Sequence, residues 1–480
     1  MMRSNPRLIH NLSDLESFLE TKGSASQELM VVLGQMTYMD DDERYKEIEK
    51  LALAIQCGHR IQSLEIVLIN SHINSAEAKI IALALESGRC PQELLINLST
   101  NFIDDEGVIA FANAFKNSNC PKEVGIYLEN NKISAVGATA IAQAMERGIW
   151  PNIFKHRNGV YLSNNKIGDK GAIALARILE SSKSAFMRKF DLVNCGIGHE
   201  GVKAFASALK NGHCPRNLHL NLGGIGNTIN YACVLEIADA LESGKCPSGL
   251  IIEILIKAGV DGAFSIIAIA DALKSGKCPP DLTLDLACSE ISNSGAKALA
   301  EALKSGACPE GLSINLERTK IGDAGAGAIA QALKSGRCPK DLKVGLGFNE
   351  ITDLGATALL EALESKQCSF GTEICFETNR RVSSKIRHRL KMVAFEKSTR
   401  ESALSSVAFQ QGLGQDHSIL NKLPQDTANL IYSFVNPTVS IKKIEQGVPL
   451  RFLGKRAAPA TPESDAPTIE SKTRKNEKKR

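Results

Sequence analysis

One dipeptide recurs along this chain at nearly constant spacing, and a repeat of that kind constrains the fold more than any other feature. Cys-Pro stands at Cys90-Pro91, Cys120-Pro121, Cys214-Pro215, Cys246-Pro247, Cys278-Pro279, Cys308-Pro309 and Cys338-Pro339. Cys57 and Cys368 hold the same frame without the proline, Trp150-Pro151 replaces the cysteine once, and Ser184 fills the slot once. Eleven units therefore begin at 57, 90, 120, 150, 184, 214, 246, 278, 308, 338 and 368, thirty residues apart, or 32 to 34 where loops gain residues. Such an array grows by adding units to one elongated core, so the usual domain count for 480 residues does not apply.

The unit from Cys308 to Arg337 shows the physics. Leu312, Ile314 and Leu316 alternate with Ser313 and Asn315, the period-2 pattern of a half-buried strand. Thr319 and Ile321 mark a turn, and Gly325 to Gly336 reads as a helix with Ala328, Ile329, Ala332 and Leu333 on one face. Gly336 stands where a helix end favours a left-handed residue. The strand triplets recur as Leu64/Ile66/Leu68, Leu94/Ile96/Leu98, Val124/Ile126/Leu128, Leu218/Leu220/Leu222, Leu282/Leu284/Leu286 and Leu342/Val344/Leu346. Three residues on comes Asn101, Asn131, Asn165, Asn349 or Asn379, with Ser71, Cys195, Ser289 and Thr319 as stand-ins. A buried polar side chain there is expected to bond the backbone of neighbouring turns.

This pattern resembles the ribonuclease-inhibitor type of leucine-rich repeat, L-x-x-L-x-L-x-x-N/C-x-L followed by a full helix, over residues 57 to 381 with echoes from Leu29. The resemblance implies an α/β horseshoe, a solenoid with a parallel sheet on the concave side and helices on the convex side. The domain reading is a cap over 1–43, the solenoid over 44–381, a capping helix over 382–397 with Ile386, Leu390 and Val393 facing the core, a small helical module over 398–454 and a disordered basic tail over 455–480.

Nine of the 13 cysteines sit at the repeat position. They read as small buried side chains stacked repeat on repeat, not as disulfides or paired zinc ligands. A free-thiol ladder implies a reducing, cytosolic compartment. The chain carries +4, but its last 26 residues hold eight Lys/Arg against four acids, so the first 454 balance at 49 each. A neutral body argues against nucleic-acid binding. No stretch reaches the length of a membrane span, and the N-terminus lacks the apolar run of a secretory signal.

On the concave side the central outward position is expected to read Val67, Asn97, Tyr127, Tyr161, Asp191, Asn221, Leu255, Asp285, Asn315, Gly345 and Cys375, followed at the strand ends by residues that include Glu129, Ser163 and Lys257. Tyr127 and Tyr161, two tyrosines expected to be exposed beside Asp191, make one candidate binding centre; Arg318 and Phe348 make a second. Asn97, Asn221, Asp285 and Asn315 complete the candidate partner-binding row. Trp150 reads as packing over a local insertion.

No phosphate loop, dinucleotide fingerprint, HExxH or GxSxG occurs, and no cofactor or metal set is expected. Leu423 to Val435 resembles the opening of an F-box, which would imply a ubiquitin-ligase adaptor. The repeat type is shared with GTPase activators and nuclease inhibitors, which would imply an enzyme regulator. The near-identical Lys-Ser-Gly-x-Cys-Pro linkers resemble leucine-rich-repeat effectors that intracellular bacterial pathogens secrete through a type IV system. That resemblance implies a non-catalytic, monomeric scaffold delivered without an N-terminal signal and binding a host protein.

Overall fold

The computed structural model describes residues 7–20, 28–58, 61–147 except 118, 121 and 122, 159–180, 187–256, and 260–393 except 377 and 391. Trp150 and its insertion, Lys257, the F-box-like segment and the basic tail lie outside the described residues.

Alternating apolar residues produce strands wherever the repeat expects them. The strands are β1 (Arg7–Ile9), β2 (Glu28–Val32), β3 (Ser63–Val67), β4 (Glu93–Asn97), β5 (Glu123–Tyr127), β6 (Gly159–Tyr161) and β7 (Lys189–Asp191). They continue as β8 (His219–Asn221), β9 (Ile251–Glu253), β10 (Thr283–Asp285), β11 (Ser313–Asn315), β12 (Lys343–Gly345) and β13 (Glu373–Cys375). All pairings are parallel, in a five-stranded sheet β1 to β5 and an eight-stranded sheet β6 to β13, each in sequence order. Two of the strands, β1 and β2, fall within the segment read as a cap. Parallel neighbours need a crossover, and each is a helix. These are α1 (Leu12–Glu20), α2 (Asp41–Cys57), α3 (Ser75–Leu85), α4 (Asp105–Ala114), α5 (Ala135–Glu146) and α6 (Gly168–Glu180). The series continues with α7 (His199–Lys210), α8 (Tyr231–Glu242), α9 (Val260–Lys274), α10 (Ser292–Ser305), α11 (Asp323–Leu333) and α12 (Asp353–Glu364). Between β5 and β6 the stack is carried on by Asn130 N–H donating to Ser163 O at 2.7 Å and Lys166 N–H to Ile133 O at 2.8 Å.

The core lies between the strand layer and the helices. In α11 it takes Ala326, Ile329, Ala330, Ala332 and Leu333, with Ala328 only partly buried. Gly336 is left-handed, with φ +70°. After the last strand, residues 384–390 are helical, Leu390 and Val393 are buried, and Ile386 packs against the core.

Three ladders of polar groups join repeat to repeat. In the first, the asparagine that follows several of the strands donates backward. Asn101 Nδ2 reaches Leu98 O at 2.9 Å and Leu68 O of the previous repeat at 2.8 Å, while its Oδ1 accepts from the N–H groups of Ser71 and Ile73. Asn227 does the same between Leu222, Leu192, Cys195 and Ile197. It stands five residues after Leu222 instead of three, so spacing alone does not find it. The ladder closes backbone groups that would otherwise be buried without partners.

The second ladder is the cysteines. The thiols of Cys90, Cys214, Cys246, Cys278, Cys308 and Cys338 each donate to a carbonyl six residues earlier, in the last turn of the preceding helix, at 3.2 to 3.5 Å. Burial pushes the thiols of Cys120, Cys195, Cys214, Cys246, Cys278 and Cys308 up to about 12 and that of Cys338 up to about 11. The six thiols bonded to helix carbonyls are therefore protonated donors that close helix ends, while Cys195 instead donates to Leu162 O at 3.1 Å, in the asparagine position of the first ladder.

The third ladder runs along the helix N-termini. Asp105, in the first turn of α4, accepts from Ser134 N at 2.8 Å, Ser134 Oγ at 2.5 Å and Gly137 N at 2.8 Å, capping the next helix instead of its own. Asp169, Asn293 and Asp323 repeat this on α7, α11 and α12. The arrangement explains the glycine in each Gly-Ala opening: a Cβ on Gly355 would lie 2.6 Å from Asp323 Oδ1, and one on Gly137 2.6 Å from Asp105 Oδ1.

Candidate partner-binding face

Strand register sets the outward row. Asn97 pairs with Tyr127, and from Tyr161 the row runs through Asp191, Asn221, Glu253, Asp285, Asn315, Gly345 and Cys375. The rung on β9 is thus Glu253, not Leu255. The run from Leu250 to Ile256 is apolar at both parities except for Glu253, so alternation gives no phase there, and only the ladder to β8 and β10 fixes it. Leu255 moves to the following position.

Tyr127 is 6% exposed, which corrects the expectation of an exposed tyrosine. The ring of Tyr161 on the next rung meets it edge-on, 5.3 Å between centroids at 74°. The Tyr161 ring thus covers Tyr127 on the preceding rung. Tyr161 itself is half-buried, with Lys189 Nζ 5.6 Å from its ring centre. Asp191, on the rung after Tyr161, is held in place: its Oδ1 accepts from Ser163 Oγ at 2.5 Å, and its Oδ2 is 3.3 Å from Lys189 Nζ. Glu129, bonded to Ser99 Oγ at 2.6 Å, is held above its usual carboxylate range by burial and by the charge of Asp191, against the pull of the Ser99 bond and of Lys189. On the next two rungs His219 Nε2 lies 2.5 Å from Glu253 Oε1. Glu129 stands in the row expected just after the strands, whereas Lys189, His219 and Glu253 were not singled out from sequence. Lys189 and His219 are two positions before the row, a parity that directs them outward as well.

The four remaining polar candidates share a local task. The side-chain oxygens of Asn97, Asn221, Asp285 and Asn315 accept from the N–H two residues on, at 3.0 to 3.1 Å, and hold the turn that leaves the strand. Asn315 also donates to Asp285 Oδ2 at 3.1 Å. Their free edges still face outward, half-buried.

Arg318 and Phe348 come together as expected from adjacent repeats, the guanidinium carbon 4.8 Å from the ring centre. Both have left-handed backbones, with φ +57° and +54°, at a turn position filled by Asn130, Asn164 and Asn194 in earlier repeats. Asparagine tolerates that conformation; a bulky side chain is strained by it. Phe348 is nonetheless 47% exposed. At ~4.8 Å per rung, about 29 Å separates Tyr161 from Phe348 along the array.

Chemically the face offers aromatic edges, paired charges and hydrogen-bonding groups. Among the described residues no group of three or more His, Cys, Asp or Glu side chains could hold a metal ion. No helix among them is long and apolar enough to cross a membrane.

No curated protein matches the chain. The family model of the leucine rich repeat, by contrast, matches residues 160–176, 183–206 and 280–300. Those three segments carry strands or helices of the same stacked unit, and the thirteen described strands, each joined to the next through a helical crossover, give the described residues the α/β solenoid fold of leucine-rich repeats.

Proposed function

We propose that the chain is a non-catalytic scaffold of the ribonuclease-inhibitor subtype that grips a protein partner along its strand face. Leucine-rich repeats as a class suggest protein interaction, and the feature that carries the reading here is the Tyr161, Lys189, Asp191 and Glu129 cluster. It gathers an aromatic ring and three charged groups on a rigid ladder, half out of water, the composition of an interface centre. Tyr127 supplies its floor. Arg318 and Phe348 supply a second contact, since strain retained at an exposed aromatic points to a role outside the fold itself. The sequence resemblance to secreted effectors leads us to place the partner in a host cell, and the protein acts there as a monomer.

The experiment is capture of partners from eukaryotic lysate on the immobilised full chain, repeated with Tyr161→Ala/Asp191→Ala and with Arg318→Ala/Phe348→Ala. A partner gripped by these centres is recovered at least about tenfold less well by each pair of variants. Lys297→Ala on the helix side serves as the control. Equal recovery by all four proteins would remove the strand-face assignment. Recovery of a GTPase or nuclease whose turnover changes on binding would make the chain an enzyme regulator instead.

A further inference from the structure

A second surface lies one turn beyond the strand row. The residue after each ladder position is His72, Phe102, Lys132 and Lys166 in four successive repeats. A short backbone ladder of its own fixes this line. Phe102 N–H donates to Ile73 O, Lys132 N–H to Ile103 O and Lys166 N–H to Ile133 O, all at 2.8 Å, and parallel bridges join Asn74 to Phe102 and Ser134 to Lys166. The side chains are layered as well. The His72 ring stacks on Phe102, 5.5 Å between centroids at 29°, and Lys132 Nζ lies 4.6 Å from the centre of the same ring. Phe102 is 47% exposed, Lys132 and Lys166 are exposed, and neither lysine forms an ion pair among the described residues. His72 holds φ +56°, a backbone that histidine adopts only at some cost.

The flanking rows leave the charge uncancelled. On one side stand the neutral Asn70, Thr100, Asn130 and Asn164. On the other, the one acid is Asp104, whose carboxylate is taken up by Ser75 Oγ at 2.5 Å and by the N-terminus of α4. The same line further along the array behaves differently. It reads Glu290, Lys320, Glu350 and Arg380, alternating in sign, with Lys320 Nζ 2.7 Å from Glu290 Oε1. One stretch of a single structural row is thus self-neutralised, and the other is a cationic ridge around an exposed ring.

We infer that the ridge His72–Phe102–Lys132–Lys166 is a docking surface for an acidic protein segment that carries an apolar residue, the ring taking the apolar group and the lysines taking carboxylates. Rungs about 4.8 Å apart on a rigid backbone suit an extended segment lying across the repeats. The neutral body of the array favours a protein over a nucleic acid, which needs a broad basic face. The inference rests on the reading of the array as a protein-binding scaffold and adds a surface to it.

The test is lysine acetylation of the full chain, read residue by residue by mass spectrometry, so that binding to the basic tail does not mask the result. The probe is the synthetic peptide acetyl-(Glu-Glu-Leu)4-amide. It should slow modification of Lys132 and Lys166 and leave Lys203 and Lys297 on the helix side unchanged. Phe102→Ala should raise the peptide concentration needed for half protection about tenfold. A phosphoserine peptide that protects more tightly would name phosphate as the anion the lysines take. Unchanged rates at Lys132 and Lys166, equal protection by the glutamine version of the peptide, or stronger protection by oligo-deoxythymidine would each overturn the inference. Protection here with no loss of capture in the strand-row variants would sink that earlier reading alone, and the reverse outcome would sink the ridge alone.

Discussion

Replacing Asp323 by alanine isolates the coupling between neighbouring helices. The carboxylate sits in α11 but accepts from Thr352 N at 2.8 Å, Gly355 N at 3.0 Å and Thr352 Oγ1 at 2.6 Å, at the start of α12. Thr352 Oγ1 in turn accepts from Leu354 N at 3.3 Å, so part of the cap survives the substitution. A capping loss of ~1 kcal/mol plus the extra strength of bonds to a charged acceptor gives about 2 kcal/mol, with water replacing the rest because the site is half-exposed. Asp323→Asn should cost under about 1 kcal/mol, because Asn293 already serves Gly322 N and Gly325 N, both at 2.9 Å, in the equivalent place. Unfolding of a long array need not be two-state, so the assay is native-state hydrogen exchange. For Asp323→Ala, amides of α12 should exchange about thirtyfold faster while those of α5 stay unchanged. Burial works to raise the carboxyl of Asp323, but the bonds from Thr352 and Gly355 outweigh it and hold the group below its usual value. A depressed folded value means that its contribution is present above the unfolded value of 3.8 and fades as pH falls through the folded one. The asparagine variant should lack that acid dependence. Exchange in Asp323→Ala within threefold of wild type, or an asparagine variant as weak as alanine, would refute the capping argument.

Three further outcomes follow from the same structure. Arg44 and Glu77, 3% and 1% exposed, meet at 2.7 Å, so Arg44→Ala strands a buried carboxylate and should cost ~3–5 kcal/mol, seen as a lower urea midpoint with early loss of α2 and α3. Burial holds seven thiols at about 11 to 12 in the folded chain against 9.0 when unfolded, so stability is full below pH 9 and falls above it, by ~1.4 kcal/mol per pH unit for each thiol. In a chain with the less buried Cys57, Cys288, Cys368 and Cys375 changed to serine, thiolate absorbance should therefore appear together with loss of helical circular dichroism, and thiolate appearing with intact helices would contradict the burial argument. Tyr127→Ala should destabilise by ~3–5 kcal/mol, as expected for a buried ring, and Tyr161→Ala by under half of that, measured by urea titration; similar losses would mean that Tyr127 is not the floor of the cluster.

The sequence by itself determined the unit and its order. Alternation in Leu312, Ile314 and Leu316 and the helical spacing of Ile329 and Leu333 are local signals, and the thirty-residue period makes each unit confirm the next. The pairing of Arg318 with Phe348 was legible for the same reason: equal positions in adjacent repeats become neighbours. Only the tertiary structure decided what depends on contacts between units. The phase of β9 came from its hydrogen bonds to β8 and β10, because the apolar run from Leu250 to Ile256 has no parity of its own. The burial of Tyr127 came from the ring of Tyr161, 34 positions away in the chain. Asn227 joined its ladder through an insertion that shifts the spacing, and Asp323 caps a helix to which it does not belong. A repeat pattern records which residues face inward within one unit; it does not record which partner a polar group finds in the next, since that choice is made by geometry across the stack.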